Sequence, residues 1–258
     1  MVRLFAAALA VAFCLPALAA DLASHRALYR LTLDPQRAQG ITAAEGTMAF
    51  EVLDACEGWA VRQRLMLKMT ARDGQENELI SEYATFESKD GLTLRYRLRQ
   101  SSQGAVSSEV AGEARLEREG GPGEARYTLP TEDVRPLPPG TLFPQAHTMA
   151  AIAAARRGDR IMAVPLFDGT SPDGVQDSTT TILSAAPARP VERFPALSPL
   201  ASWRMSVAFF DVGGTGAPDY EVALRYWENG VADELKMDFG DFAVDGKMTE
   251  FELVRGGC

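Results

Sequence analysis

Histidine is almost absent from this chain: only His25 and His147 occur among 258 residues. Imidazole-based acid–base chemistry and metal ligation are therefore confined to two positions. Cysteine is nearly as scarce, with Cys14, Cys56 and Cys258, and no C-x-x-C is present. The G-x-S-x-G, H-E-x-x-H and G-x-x-x-x-G-K-[ST] patterns are missing too, which removes the sequence signatures of α/β-hydrolases, zincins and P-loop enzymes. Basic residues are in the minority, 26 Lys and Arg against 35 Asp and Glu, for a formal charge of −9. Such a balance disfavours nucleic acid and anionic membrane surfaces as partners.

Long apolar runs are lacking as well. The longest, Leu4–Leu15 within "MVRLFAAALAVAFCLPALAA", falls short of the roughly 20 residues a bilayer-spanning helix needs. Arg3 before it, Pro16 after it and the small residues of "ALAA" give the pattern of an export signal cut after Ala19 or Ala20. Cys14 follows bulky Phe13 rather than the small residue that a lipoprotein signal requires, so it is expected to leave with residues 1–20. Residues 21–258 are then expected to form one domain, monomeric and not membrane-spanning. Loss of Arg3 leaves 25 basic against 35 acidic side chains, a net −10. Cys56 and Cys258 are the remaining pair, and an even pair in an exported chain predicts a disulfide.

What the chain has in abundance is period-two alternation. "WAVRQRLMLKMT" sets Trp59, Val61, Leu65, Leu67 and Met69 against Arg62, Arg64 and Lys68. "GLTLRYRLRQ" sets Leu92, Leu94, Tyr96 and Leu98 against Arg95, Arg97 and Arg99. Alternation of this kind means strands with one buried face. Asp73-Gly74, Asp90-Gly91, Asn229-Gly230 and Asp245-Gly246 each stand between two such runs, and these dipeptides tolerate the positive φ of tight hairpin turns. One stretch departs from the rule. After the proline-rich Leu129–Gln145, "AHTMAAIAAARRGDR" is alanine-rich, carries Arg156 and Arg157 in its last turn and stops at Gly158, which predicts a short helix. About seven strands, a linker with one helix, and six or more strands predict a mostly β protein. Its large antiparallel sheet would curl on itself around a filled or ligand-lined concavity.

Candidates for chemistry are few. Ser24 and His25 are adjacent, and neighbours on a strand point to opposite faces, so they make a poor nucleophile–base pair. His147 at the helix start suits capping or packing. "FDGTSPDG" (Phe167–Gly174) and "FGDFAVDG" (Phe239–Gly246) lack the ligand spacing of a calcium loop. Asp238 and Asp241 are the nearest approach to a carboxylate pair for glycan or lipid hydrolysis. Two basic rows, Arg62/Arg64/Lys68 and Arg95/Arg97/Arg99, would form an anion-binding stripe if their strands were close, or pair with glutamates across a solvated face.

Several segments occur in a familiar order: "LASHRALYRLTLD", the cysteine of "DACEGW", "LPPGTLFPQAHT", "LFDG", "YEVALRYWENGV", "DFGDFAVDGKMTEFEL" and a terminal cysteine. Together they resemble the EipB family of alphaproteobacterial periplasmic proteins associated with cell-envelope integrity. The resemblance covers essentially all of residues 21–258, and it implies a β-spiral related in architecture to lipoprotein carriers. It also implies a disulfide between Cys56 and Cys258 and no known catalytic activity.

The expected function is a non-enzymatic, periplasmic support of the envelope that needs no cofactor or metal. It would bind a lipid, glycan or peptide, or dock an envelope lipoprotein or repeat protein, within the curled sheet. His25, Arg26, Tyr29, Tyr226, Trp227 and Phe242 are the candidate ligand contacts; a carboxylate hydrolase is the alternative.

Overall fold

The structure, a computed structural model, describes residues 22–214 and 216–258. The expected export signal and Cys14 lie outside the described residues. The alternating runs form strands as their spacing predicts. β1 (His25–Ala38), β2 (Ile41–Asp54), β3 (Gly58–Ala71), β4 (Glu76–Ser88), β5 (Thr93–Ser102), β6 (Ala105–Leu116), β7 (Gly123–Leu129) and β8 (Asp133–Leu137) precede the helix. β9 (Ile161–Leu166), β10 (Gln176–Ala186), β11 (Ser202–Phe210), β12 (Tyr220–Trp227), β13 (Ala232–Asp238) and β14 (Phe242–Leu253) follow it. On β3, Trp59, Val61, Leu65 and Leu67 are buried while Arg62, Arg64 and Lys68 are exposed, and β5 repeats the pattern with Leu94, Tyr96 and Leu98. The hairpin turn at Asn229-Gly230 joins β12 to β13, with Gly230 at φ 82°.

All fourteen strands form one antiparallel sheet, in the order β8-β7-β6-β5-β4-β3-β2-β1-β14-β13-β12-β11-β10-β9. β1 lies in the middle of this order, the chain runs outward from it to the edge at β8, crosses to the opposite edge at β9 and runs inward to β14 beside β1. α1 (Pro144–Arg157) lies on the connection between the edge strands β8 and β9. Gly158, at φ 85°, closes it as the C-cap. Its first turn measures the curl of the sheet. The backbone N–H groups of Gln145 and Ala146 both donate to the Glu87 carboxylate on β4 at 2.7 Å, while His147 Nε2 lies 3.3 Å from Ser178 Oγ on β10. β4 and β10 are eight places apart in the sheet order, which would be about 38 Å in a flat sheet. One helical turn of about 5.4 Å can touch both only because the sheet wraps around the helix. The edges are not bonded to each other among the described residues; the parallel bridge between Leu142 and Leu166 ties the linker to β9 instead.

The concavity is thus filled. Ala151 and Ile152 of α1 pack with Tyr29, Leu31, Leu65, Leu67 and Met205 in one hydrophobic cluster, and Leu94, Tyr96 and Leu98 pack with Phe143 and Phe167 in a second. Ligand binding inside the curl, as expected from the sequence, would have to displace this packing. Cys56 and Cys258 are bonded, with their Cα atoms 5.5 Å apart across 202 residues of sequence, and so the chain end is tied beside the β2–β3 turn.

Two local expectations are corrected. β8 lies inside the proline-rich linker, where no strand was expected. Pro136 is tolerable there because β8 is an edge strand paired to β7 alone. Asp245-Gly246 is not a turn but the middle of β14, where Gly246 pairs with Leu31 on one side and Leu235 on the other. A Cβ at Gly246 would come within 3.0 Å of Leu235 Cβ and 3.2 Å of Leu31 Cδ2, so this glycine serves close approach rather than chain reversal. The reversal falls earlier, at Gly240, with φ 87°.

Candidate ligand-binding groove

Six adjacent strands, β14, β1, β2, β3, β4 and β5, present their outer faces side by side. An open groove of about 830 Å³ runs over them. Its charged lining is on the outer face: Arg26, Arg62, Arg64, Glu82, Arg97 and Arg99 are outward residues, and Ala27, Phe50, Gln63, Tyr83 and Phe251 from the row between them also border it. Strand register orders the outward side chains into two rows. The first reads Glu252, Arg26, Glu51, Arg62, Ala84, Arg97; the second reads Glu250, Leu28, Ala49, Arg64, Glu82, Arg99. Leu28 and Ala49 are neighbours and give the floor an apolar patch; Ala84 is a second, separate gap in the charged rows, on the far side of Arg62 and Arg64.

Both sequence-based readings of the basic rows hold in part. β3 and β5 flank β4, so their arginines do line one groove. Many also pair with glutamates, as a solvated face would: Arg26 with Glu51, Arg64 with Glu82 at 3.6 Å, and Arg97 and Arg99 with Glu109 at 3.3 and 3.7 Å. Arg62 has no ion-pair partner among the described residues. Arg95 and Lys68 lie outside the groove, and Arg95 stacks its guanidinium 4.9 Å from the centre of the Phe86 ring. Exposed pairs of this kind contribute little to stability, about 0–1 kcal/mol each, so the row is not explained by a need to hold the fold.

The six candidate contacts do not converge. Arg26 alone reaches the groove. His25 and Tyr29 point the other way from Arg26, since alternate residues of β1 face opposite sides, and only 2% and 1% of their surfaces are exposed. Tyr29 Oη donates to the Ala232 carbonyl at 2.6 Å, and Ala232 pairs with Tyr226, so these two tyrosines are brought together in the core. Burial raises the pKa of both hydroxyls. Tyr226 Oη stands 3.4 Å from Thr148 Oγ1 on α1. Trp227 is buried beneath the Arg225 guanidinium, 4.8 Å from its ring centre, and Arg225 is in turn bidentate to Asp233 at 2.8 Å. His25 bonds the Ala23 carbonyl at 2.7 Å between Phe50 and Phe251, and burial holds its pKa down against that bond. Phe242 stacks on Phe239 at 5.1 Å, at the opposite end of β14 from Phe251. Five of the six are thus engaged in packing. Ala84, Ala49 and Leu28, which shape the groove, carry no chemical signal of their own, and only strand register sets them among the arginines.

Of the candidate carboxylate pair, Asp241 is exposed and Asp238 is committed. Burial would raise Asp238, but its bonds to Arg37 and to the Gly240 N–H outweigh that and hold its pKa below the ordinary value, the reverse of what a general acid needs. In "FDGTSPDG", Asp168 is half-buried; desolvation raises its pKa, and it accepts from the N–H and hydroxyl of Thr170. Among the described residues no three His, Cys, Asp or Glu side chains cluster as metal ligands would. No helix among them is long and apolar enough to cross a membrane.

Comparison with known proteins places this geometry among relatives. The family described as EipB-like matches residues 16–255. The Cell envelope integrity protein EipB of Brucella abortus (strain 2308) is 28% identical over 246 residues, which span 93% of this chain and 87% of that protein. A solved structure, a beta-barrel-like protein of domain of unknown function DUF1849 from Brucella abortus, superposes with a TM-score of 0.82 at 29% identity. The match covers 92% of this chain and all of that one.

Proposed function

This chain belongs to the EipB-like family, and on that premise we propose that it is a non-enzymatic periplasmic protein that supports cell-envelope integrity by binding an amphiphilic ligand on its curled sheet. The name of its Brucella relative supports the envelope role, and the pattern of residues 1–20 supports export. The observation that carries the binding role is the outer groove. At about 830 Å³ it lies in the range of sites that take small ligands, about 300–1,000 Å³, and it joins an apolar patch to charged side chains, five arginines and four glutamates. The filled interior favours the outer face over the concavity as the place of binding. The lipid-like class is favoured over a peptide because the groove lies across paired strands, with no free strand edge to which a peptide could add. Native mass spectrometry of the protein recovered from periplasm tests the proposal: a lipid adduct released on denaturation is expected, and a clean apo mass with no uptake on lipid titration refutes it.

A further inference from the structure

The two rows of the groove differ at three positions, Arg26/Leu28, Glu51/Ala49 and Ala84/Glu82, and only the last lies between two arginines in both rows. In the second row Arg64 and Arg99 stand on either side of Glu82, and in the first Arg62 and Arg97 stand on either side of Ala84. Glu82 supplies a carboxylate between its two arginines and pairs with Arg64 at 3.6 Å. At Ala84 the side chain ends at Cβ, so the equivalent space between Arg62 and Arg97 has no internal anion. Glu51, the carboxylate on the other side of Arg62, is taken by Arg26. Arg97 reaches Glu109 at 3.3 Å, and Glu109 is shared with Arg99.

We propose that the space over Ala84 is a phosphate slot, and that it holds the headgroup of a phosphate-bearing amphiphile whose hydrocarbon part lies on Leu28 and Ala49. The Cα atoms of Arg62 and Arg97, two strands apart, are separated by about 10 Å. An anion between them has to present oxygens in two directions. A tetrahedral phosphate does so, because its oxygens do not lie in one plane, and each guanidinium fork can take a different oxygen pair or edge. A phosphate alone would fill a small part of 830 Å³, and the apolar patch of Leu28 and Ala49, across β3 from the slot, gives the remainder of the ligand somewhere to lie. On a chain of net charge −9 the slot is a local reversal of sign, and it selects anions that the rest of the surface repels. The assignment rests on the amphiphile-binding function proposed above and names the headgroup and its seat.

The test is isothermal titration of the full protein with dihexanoylphosphatidylglycerol below its micelle concentration, with octyl glucoside and glycerol 3-phosphate as comparison ligands. Wild-type protein is expected to bind the phospholipid at least tenfold more tightly than either comparison ligand. Ala84→Glu, which places an internal carboxylate in the slot as Glu82 does in the next row, is expected to weaken phospholipid binding at least tenfold. Arg62→Gln, which leaves the floor untouched, should weaken it similarly, with circular dichroism and thermal midpoint unchanged in both variants. Equal phospholipid affinity in wild type and both variants overturns the slot while leaving amphiphile binding intact. Binding of octyl glucoside but not of phospholipid by wild type overturns the slot alone, and binding of neither overturns amphiphile binding as well. Glycerol 3-phosphate binding as tightly as the phospholipid makes the groove a site for free phosphate esters and overturns the assignment to an amphiphile.

Discussion

Glu87→Gln, read at two pH values, tests how α1 is anchored inside the curl. α1 has no side-chain N-cap of its own: Phe143 stands at the cap position and Pro144 opens the first turn. Glu87 of β4 takes over that role and accepts from the N–H groups of Gln145 and Ala146 at 2.7 Å with 1% of its surface exposed. Burial pushes its pKa from the ordinary 4.5 up to about 7, against the two backbone donors that favour the charged form. In the folded protein the carboxyl therefore keeps its proton up to about pH 7, while in the unfolded chain it releases it near 4.5. Folding takes up a proton between those limits. Stability from this group is full below 4.5, falls as pH rises through the window, and is exhausted above about 7, a total on the order of 3 kcal/mol. Glutamine cannot titrate, keeps one carbonyl acceptor for the two donors, and costs about 1–3 kcal/mol for the N–H left without a partner. Urea unfolding of both proteins at matched ionic strength should therefore show a destabilisation by Glu87→Gln that is about 2–3 kcal/mol larger at pH 5 than at pH 8. His147, which burial lowers to about 4, titrates in an overlapping range, but in both proteins, and cancels from the difference. An equal destabilisation at pH 5 and pH 8 would refute the reasoning, and would mean that the helix N-terminus holds the carboxyl charged throughout.

Cys258→Ser should lower the thermal midpoint by about 10 °C, since a loop of 202 residues is closed by the bond and the chain-entropy limit is about 5 kcal/mol. Reductant should bring wild type to the same midpoint and leave the variant unmoved; a midpoint of the wild type indifferent to reductant contradicts this. Asp233→Ala leaves the buried Arg225 guanidinium without its bidentate partner but with Glu234 at 2.7 Å, and should cost about 1–3 kcal/mol in chemical denaturation, whereas replacing Arg225 and Asp233 together by Met and Leu should cost less. Gly246→Ala forces a methyl group against Leu235 and Leu31 and should destabilise by about 1–3 kcal/mol; a neutral outcome in the same assay would show that β14 can shift to admit it.

What the sequence determined by itself are the features written in neighbouring residues. Alternation on β3 and β5 settles which side chains are buried, because a strand turns each successive residue to the other face. The alanine run ending in Gly158 is enough to place α1, and Cys56 and Cys258, expected to pair if residues 1–20 are an export signal, are bonded. Tertiary structure decided the rest, because it depends on partners far away in sequence. β8 exists because β7 offers it an edge, and Asp245-Gly246 extends a strand because Leu31 and Leu235 close in on both sides of the glycine. Tyr29 and Trp227 carry the same aromatic chemistry whether they line a pocket or fill a core; the curl of the sheet around α1 puts both in the core. Arg62 and Arg97 are 35 positions apart in the chain. They face each other across Ala84 only through two successive strand registers, and a shift of one residue in either would turn that row to the opposite face.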